Sequence, residues 1–142
     1  MTVQSKNLEN TEYLQVARAC SDDTLKQFSK HSKVIEAVTS KRFIKLKIKN
    51  LRIEYWGYMG KERDYLLIPC LYCSCPDFTI NVLSKRIRDF CYHLVALELA
   101  RRKHMYKELF IDSKDLVIIV FEIITRSFSP YLRKLIYRAS EK

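Results

Sequence analysis

The sequence predicts an α+β fold, in which a small antiparallel meander of three strands is joined to a helix by a cluster of cysteine and histidine side chains. Two observations predict this fold. The hydrophobic pattern is helical before residue 40, alternates between residues 43 and 56, and is helical again after residue 93. Two closely spaced pairs of metal-ligating residue types lie where the last strand ends and the next helix begins. Helices are expected to flank the meander on both sides.

Length and composition are those of one domain with a helical extension. The 142 residues are 48% hydrophobic and 30% charged, which is typical of a globular protein. The formal net charge of +10 fits a polyanion, an acidic partner or merely a basic proteome, and composition does not rank them. The longest apolar run, Leu116 to Ile124, contains a glutamate and is far shorter than the ~20 residues of a membrane span.

The first residues of the chain are polar and lack the basic and apolar regions of a signal sequence. We therefore expect an intracellular protein with no membrane contact. Its compartment would be the cytoplasm or nucleoid of a prokaryote, or the nucleus of a eukaryote.

Helices are predicted in the first segment, residues 1–40. Residues 10–38 have a helical period that breaks near Ser21, so two helices are expected. Ser21 is a favourable N-cap, and Asp22 and Asp23 would interact favourably with the positive end of the helix dipole.

Alternating residues predict three strands in the central module, residues 41–110. In residues 43–49 apolar side chains alternate with lysines, which indicates a half-buried strand with one basic face. Residues 51–56 resume the alternation on the odd positions after a turn or bulge. Residues 58–64 are expected to form a second turn, and residues 65–69 a third strand.

Helices are predicted again after the central module. Residues 94–109 have helical spacing, and Ser113 could cap a helix through the apolar run at 116–124, although a buried strand would show the same pattern. Ser129 followed by Pro130 predicts the start of a last helix. We expect residues 111–142 to be a helical extension that packs on the same domain.

Cys73, Cys75, Cys91 and His93 are the predicted metal ligands. Zinc takes four tetrahedral ligands, and thiolates with imidazole are a preferred set. Two residues separated by one can reach the same ion, Pro76 helps to fix the chain after the first pair, and a helix N-terminus at the second pair stabilises thiolate. Four protein ligands leave no open position, so we predict one structural zinc ion.

Other interpretations of these residues remain open. They could be buried free thiols with a core histidine, ligands of an iron–sulfur cluster, or in part a catalytic Cys–His pair. Cys70 lies three residues before Cys73 and is the alternative ligand, although we expect it to pack under the site. Cys20 and His104 have no partner nearby in sequence and are expected to be structural. The odd number of cysteines favours a reducing compartment and a metal over a disulfide framework.

Several short motifs lie between Cys70 and Leu94. They are the C-x-C…C-x-H pattern, the segment CSCPDF and the helix start HLVALELA, in which Ala96 completes C-x-H-x-x-A. These motifs resemble the SWIM zinc finger. The segments CLYCSCPDF, VLSK and CYHL resemble, more narrowly, the SWIM-domain subunit of the Shu complex. Such proteins commonly have a lysine between the last two ligands, where this chain has Tyr92.

This resemblance implies a non-enzymatic accessory factor of homologous recombination. Such proteins pair with a RecA-fold recombinase paralogue and promote recombinase filaments on single-stranded DNA. The sequence fits that role, because its two glycines, Gly57 and Gly60, exclude the common glycine-rich phosphate loops, so ATP chemistry would belong to the partner. The alternatives are a stand-alone nucleic-acid-binding zinc module, from a regulator or a mobile element, and, in last place, a cysteine-dependent enzyme.

Three basic clusters are candidate contacts for nucleic acid or a partner. Tyr55, Trp56, Tyr58 and Tyr92 lie close to them in sequence, and single strands are typically held by a basic groove with stacking aromatics. A solvated basic face and core aromatics are the ordinary interpretation of the same residues. The apolar run at 116–124 is likewise either core or a partner surface. The clusters comprise Lys45, Lys47, Lys49 and Arg52; Lys85, Arg86 and Arg88; and Arg101, Arg102 and Lys103.

Overall fold

The computed structural model describes residues 18–140, which form a five-stranded mixed sheet with helices on both faces. The predicted α+β class is confirmed. No helix in residues 18–140 is both long and apolar enough to cross a membrane. The strands are β1 (Phe43–Ile48), β2 (Tyr55–Met59), β3 (Asp64–Ile68), β4 (Tyr72–Cys73) and β5 (Lys107–Ile111). The α-helices are α1 (Asp22–Phe28), α2 (Ser32–Thr39), α3 (Tyr92–Lys103), α4 (Ser113–Arg126) and α5 (Pro130–Ser140).

The predicted meander is the centre of a larger sheet with the order β4-β3-β2-β1-β5. The strands β1, β2 and β3 pair antiparallel, as predicted. Two edge strands were not predicted. The two-residue β4 pairs antiparallel with β3, and β5 pairs in parallel with β1. The first edge strand ends at Cys73, which places the first predicted ligand pair at that edge of the sheet.

The predicted bounds of three segments are wrong. The turn expected at residues 58–64 is shorter, because Tyr58 and Met59 belong to β2 and Asp64 to β3. The strand expected at residues 51–56 begins only at Tyr55, because the preceding residues leave the sheet after Asn50 takes a left-handed conformation, with φ of 69°. The helix expected through residue 109 ends at Lys103, because His104 is left-handed and closes the last turn. A left-handed residue is a common helix end, but it is usually glycine or asparagine, so His104 gave no stop signal.

The helix starts follow the predicted caps with one shift. Ser21 caps α1, and Ser129 precedes Pro130 at the start of α5, as predicted. Asp112, not Ser113, caps α4, through a capping box with Asp115. The two helices predicted at residues 10–38 are a 3₁₀ turn (Arg18–Cys20), α1 and α2, and residues 10–17 lie outside the described part of the chain.

The two faces of the sheet carry separate cores. On one face Phe43 and Trp56 pack against α2 and α3, and on the other Ile44 packs against α4 and α5. Phe43 and Ile44 are both fully buried because successive residues of a strand point to opposite faces. The C-terminal helices therefore cover one face of the sheet, while the predicted metal ligands lie on the other. The segment boundaries predicted at residues 40 and 110 stay predictions.

Candidate metal centre

The first ligand pair lies at the end of β4, with Cys73 as the last residue of the strand and Cys75 in the bend that follows it. The backbone N–H of Ser74 donates to the carbonyl of Leu66 at 2.9 Å, and the Ser74 hydroxyl accepts the N–H of Leu66 at 2.8 Å. These two bonds fix the residue between the cysteines to β3. Cys75 Sγ accepts the backbone N–H of Phe78 at 3.3 Å, and a hydrogen bond of this kind stabilises thiolate. Phe78–Ser84 then forms a π-helix.

The second ligand pair lies at the start of α3, as predicted. Cys91 is the N-cap residue in an extended conformation, and its side chain makes no capping hydrogen bond, so the thiol is available to a metal. His93 lies in the first turn of the helix and is 5% exposed. The helix thus presents both side chains from one end, on the side that faces the sheet.

The fold brings the two pairs together. The ligand atoms of Cys73, Cys75, Cys91 and His93 all lie within 4.8 Å of one another, and all four residues are buried. Sulfur ligands of one tetrahedral zinc ion lie about 3.7 Å apart, as follows from Zn–S bonds of about 2.3 Å. The cluster therefore has nearly the dimensions of a four-ligand zinc site.

The chemistry of the donor set fits a divalent cation. Nδ1 of His93 is buried without a hydrogen-bond partner among the described residues, and an unsatisfied buried nitrogen is unfavourable. Hydrogen bonds from Cys73 and Cys91 lower the pKa of Cys75, whereas burial raises the pKa values of Cys73 and Cys91. Protein groups alone thus stabilise one thiolate of the three. A bound Zn²⁺ would stabilise all three and hold the orphaned nitrogen.

Aromatic rings shield the cluster from water. The rings of Tyr58, Tyr65 and Tyr92 lie 4.7, 5.1 and 4.1 Å from the His93 ring, measured between centroids. Tyr92 lies between the last two ligands, and burial raises the pKa of its hydroxyl to about 12. Its ring covers the histidine and so adds packing to the site. Motif residue Ala96 is fully buried further along α3.

Cys70 does not ligate the metal in this structure, because it forms a disulfide with Cys20. This disulfide was not predicted, and the expectation of a metal in preference to disulfides holds only for the other three cysteines. Cys20 is structural, as predicted, through a partner that is distant in sequence. The 3₁₀ turn Arg18–Cys20 brings its last residue to the turn between β3 and β4, where Cys70 has a left-handed φ of 66°. His104 is structural, as predicted, since it ends α3.

Acidic residues from other segments interrupt the predicted basic surface. Lys45 and Arg101 each lie 3.6 Å from Glu54, and Lys47 lies 3.1 Å from Glu108. These ion pairs reduce the positive charge that the strand and the helix present.

Some of the remaining predicted basic contacts are also in ion pairs, whereas others are exposed. Arg88 pairs with Asp77 at 3.0 Å, and Arg102 pairs with Asp22 at 2.8 Å. Arg86 is exposed and also has an interaction within the protein. The other predicted contacts, which are exposed, are Lys49, Arg52, Lys85 and Lys103.

The aromatic residues are mostly part of the core. Trp56 and Tyr58 are 1% and 7% exposed, so they do not form a stacking surface. Tyr55 packs in the core on the α4 side of the sheet, whereas Tyr92 is half-buried at the start of α3. Trp56 and Tyr58 are two residues apart in β2, so both point to the same face of the sheet. That face is covered by the core that includes α2 and α3.

Residues 58–102 match the family model of the SWIM zinc finger, a range that contains all four ligands. The chain carries a SWIM zinc finger. The ion that this finger implies is zinc, in agreement with the donor set. Within the SWIM finger, the end of β4 and the start of α3 each carry one ligand pair, and a zinc ion bound to both would fasten the helix to the edge of the sheet.

Two curated relatives resemble the SWIM region. Zinc finger SWIM domain-containing protein 7 of Mus musculus is 36% identical over 66 residues, which cover 46% of this chain and 43% of the relative. The Homo sapiens protein of the same name is 37% identical over 54 residues, or 38% of this chain and 39% of the relative. The chain thus spans about two fifths of the length of these relatives. No solved structure gives a significant match.

Proposed function

We propose that this protein is a non-enzymatic accessory factor of homologous recombination that binds a RecA-fold recombinase paralogue and promotes recombinase filaments on single-stranded DNA. The SWIM finger and the similarity to SWIM domain-containing protein 7 support this role. The four-ligand site supports it as well, because a zinc ion with four protein ligands has no open position for a substrate. The metal then serves to hold the module together, and the function belongs to its surfaces. Such a role places the protein with chromosomal DNA, inside the cell.

An exposed apolar stripe on α4 carries the proposal of a protein partner. Val117, Phe121 and Ile124 recur at helical spacing on one face and are 67%, 63% and 57% exposed. Ile119 and Ile123, on the opposite side of the helix, are buried against the sheet. The core interpretation of the apolar run thus holds for the buried face of α4, and the exposed face is the proposed partner surface. A contiguous exposed apolar row with an aromatic at its centre is typical of a protein interface.

Basic side chains border the stripe. Lys114 lies in the first turn of α4 and Arg126 in the last, and both are exposed. A partner surface that complements this face would be apolar at its centre and acidic at its rim. We propose that the recombinase paralogue supplies that surface.

Co-purification with the RecA-fold paralogue from the same genome tests this function. We expect Phe121→Asp to weaken the complex by about tenfold or more, because a charge would be buried at the centre of the interface. Phe110→Asp is the matched control, since Phe110 is 78% exposed on β5 and lies outside α4. Capture of no RecA-fold protein would contradict the proposed function. Equal binding of the paralogue by the two variants would instead show that the interface does not include the exposed face of α4.

A further inference from the structure

A cleft of about 490 Å³ lies beside the SWIM finger, outside the metal centre. It is bounded by the end of α1, the start of α2, the loop after the π-helix and the start of α3. Its volume is within the range of small-ligand sites. Aromatic and basic side chains line it together: Phe28, Phe90 and Tyr92, with Lys33, Arg86 and Arg88.

The aromatic rings of the cleft are held in place by packing. Phe28 and Phe90 meet edge to face, with ring centroids 5.6 Å apart. Tyr92 packs on the zinc ligand His93, and the Lys33 ammonium lies 5.5 Å from the centre of the Tyr92 ring. All three rings are half-buried. The ammonium lies over the face of the Tyr92 ring, and the exposed lysine side chain can move from that face to a neighbouring phosphate when a base stacks on the ring.

The charges in the cleft favour an anion. The two acidic residues that line it are already paired, Asp77 with Arg88 at 3.0 Å and Asp89 with Arg18 at 2.9 Å. Lys33 makes no ion pair with any residue from 18 to 140. Four cations lie in or next to the cleft, against these two carboxylates: Arg18, Lys33, Arg86 and Arg88.

The N-terminus of α2 also lies at the cleft. Lys33 is in the first turn of α2, which contains no acidic residue. The N-terminus of α3 instead presents the metal ligands Cys91 and His93. The positive end of the α2 dipole therefore adds to the attraction of the side-chain cations for a phosphate.

We propose that this cleft binds one nucleotide of a single-stranded nucleic acid, with its base stacked at Tyr92 and its phosphate at Lys33 and Arg88. Stacking on an aromatic ring requires an unpaired base, and a basic groove beside such rings is the usual arrangement for single strands. This chemistry is shared by DNA and RNA. The inference rests on the proposed function only for the expectation of DNA, and it requires no recombinase paralogue.

Fluorescence anisotropy with a labelled thymidine oligonucleotide and the full zinc-loaded chain tests the phosphate contact. Lys33→Glu is expected to weaken binding about tenfold and to lower the salt slope by ~0.7, the value of one single-strand phosphate contact. Lys134→Glu is the matched control, because it makes the same charge change on an exposed residue of α5. It should stay within about twofold of the unmodified protein.

A second pair of variants tests stacking at Tyr92. Tyr92→Phe keeps the ring and should bind the oligonucleotide normally, whereas Tyr92→Leu should lose about tenfold in affinity. Zinc content and thermal unfolding, measured on each variant, verify that the finger is intact. If a Tyr92 variant loses zinc, the Lys33 and Lys134 variants decide the test, because those two residues are exposed and their substitution should not disturb the zinc finger.

The inference would be overturned by the absence of oligonucleotide binding at low salt, by equal behaviour of the Lys33 and Lys134 variants, or by equal competition from a duplex of the same length. Binding of a uridine RNA with similar or different affinity supports the shared chemistry and identifies the tighter strand. The Phe121→Asp variant should bind the oligonucleotide normally. Failure of the proposed partner and failure of the cleft are therefore observed separately.

Discussion

The surroundings of His93 indicate the role of this residue. Three tyrosine rings pack around it, it is 5% exposed, and its Nδ1 has no hydrogen-bond partner in the described part of the chain. A metal ligand bond would satisfy this buried nitrogen. Removal of the imidazole should thus affect the whole domain, because zinc binding in small modules is coupled to folding.

The change His93→Asn should abolish zinc binding and lower the free energy of unfolding by several kcal/mol, since structural zinc contributes on the order of 10 kcal/mol in small modules. Zinc analysis and chemical denaturation measure the two effects. His104→Asn is the matched control, because asparagine tolerates the left-handed conformation that His104 adopts at the end of α3. A His93→Asn protein that retained zinc and normal stability would show that this histidine is not a ligand.

The zinc ligands could be predicted from the sequence because each pair is local. Cys73 and Cys75, and then Cys91 and His93, are separated by a single residue, so the spacing alone indicates chelation. The role of Cys70 could not be predicted in the same way. Its partner lies 50 residues earlier, and only the packing of the N-terminal turn on the finger brings the two sulfurs together.

At the scale of elements, two links hold the N-terminal turn and α3 to the edge of the sheet. The zinc cluster joins β4 to α3. The disulfide joins the 3₁₀ turn to Cys70, which lies two residues before the start of β4. The disulfide closes a long loop, and closure of a long loop restricts the unfolded chain.

Reduction of the disulfide should lower the free energy of unfolding by about 4 kcal/mol, the loop-entropy value for a separation of 50 residues. Denaturant unfolding with and without a phosphine reductant measures the difference. The folded protein should keep its zinc under both conditions. Cys20→Ser should match the reduced protein, and the reductant should then have no further effect. An unfolding midpoint that does not respond to reductant would contradict the disulfide.

Local sequence predicted the central strands better than the edge strands. Alternation of apolar residues with lysines identified β1, and the apolar segment before Pro69 indicated β3. The strand β5 contains Lys107 and Glu108, continues a helical spacing, and becomes a strand through its parallel pairing with β1. That pairing is a tertiary contact, so it leaves little trace in a short window of sequence.

At the scale of the whole molecule, the metal finger and the proposed partner surface lie on different sides of the sheet. The SWIM finger and α2 cover one face, whereas α4 and α5 cover the other and leave the stripe of Val117, Phe121 and Ile124 exposed. This arrangement allows the chain to hold a strand in its cleft and a partner on α4 at the same time. The two proposed surfaces share no residue.

The net charge alone could not locate these surfaces. The basic clusters seen in the sequence are partly neutralised by Glu54, Glu108 and Asp22, each supplied by another segment of the fold. The cleft in turn uses Phe28 and Lys33, which lie about sixty residues before the finger's second ligand pair and form no motif. Among the residues that line it, the sequence had indicated Arg86 and Arg88 as candidate contacts and Tyr92 as a nearby aromatic.

X-ray absorption at the zinc edge tests most directly whether these four side chains fill the metal's coordination sphere and leave it structural. The expected spectrum has three sulfur ligands at about 2.3 Å and one nitrogen ligand at about 2.0 Å. A fourth sulfur in place of the nitrogen, or an oxygen ligand from an exchangeable water, would contradict a closed site built from Cys73, Cys75, Cys91 and His93.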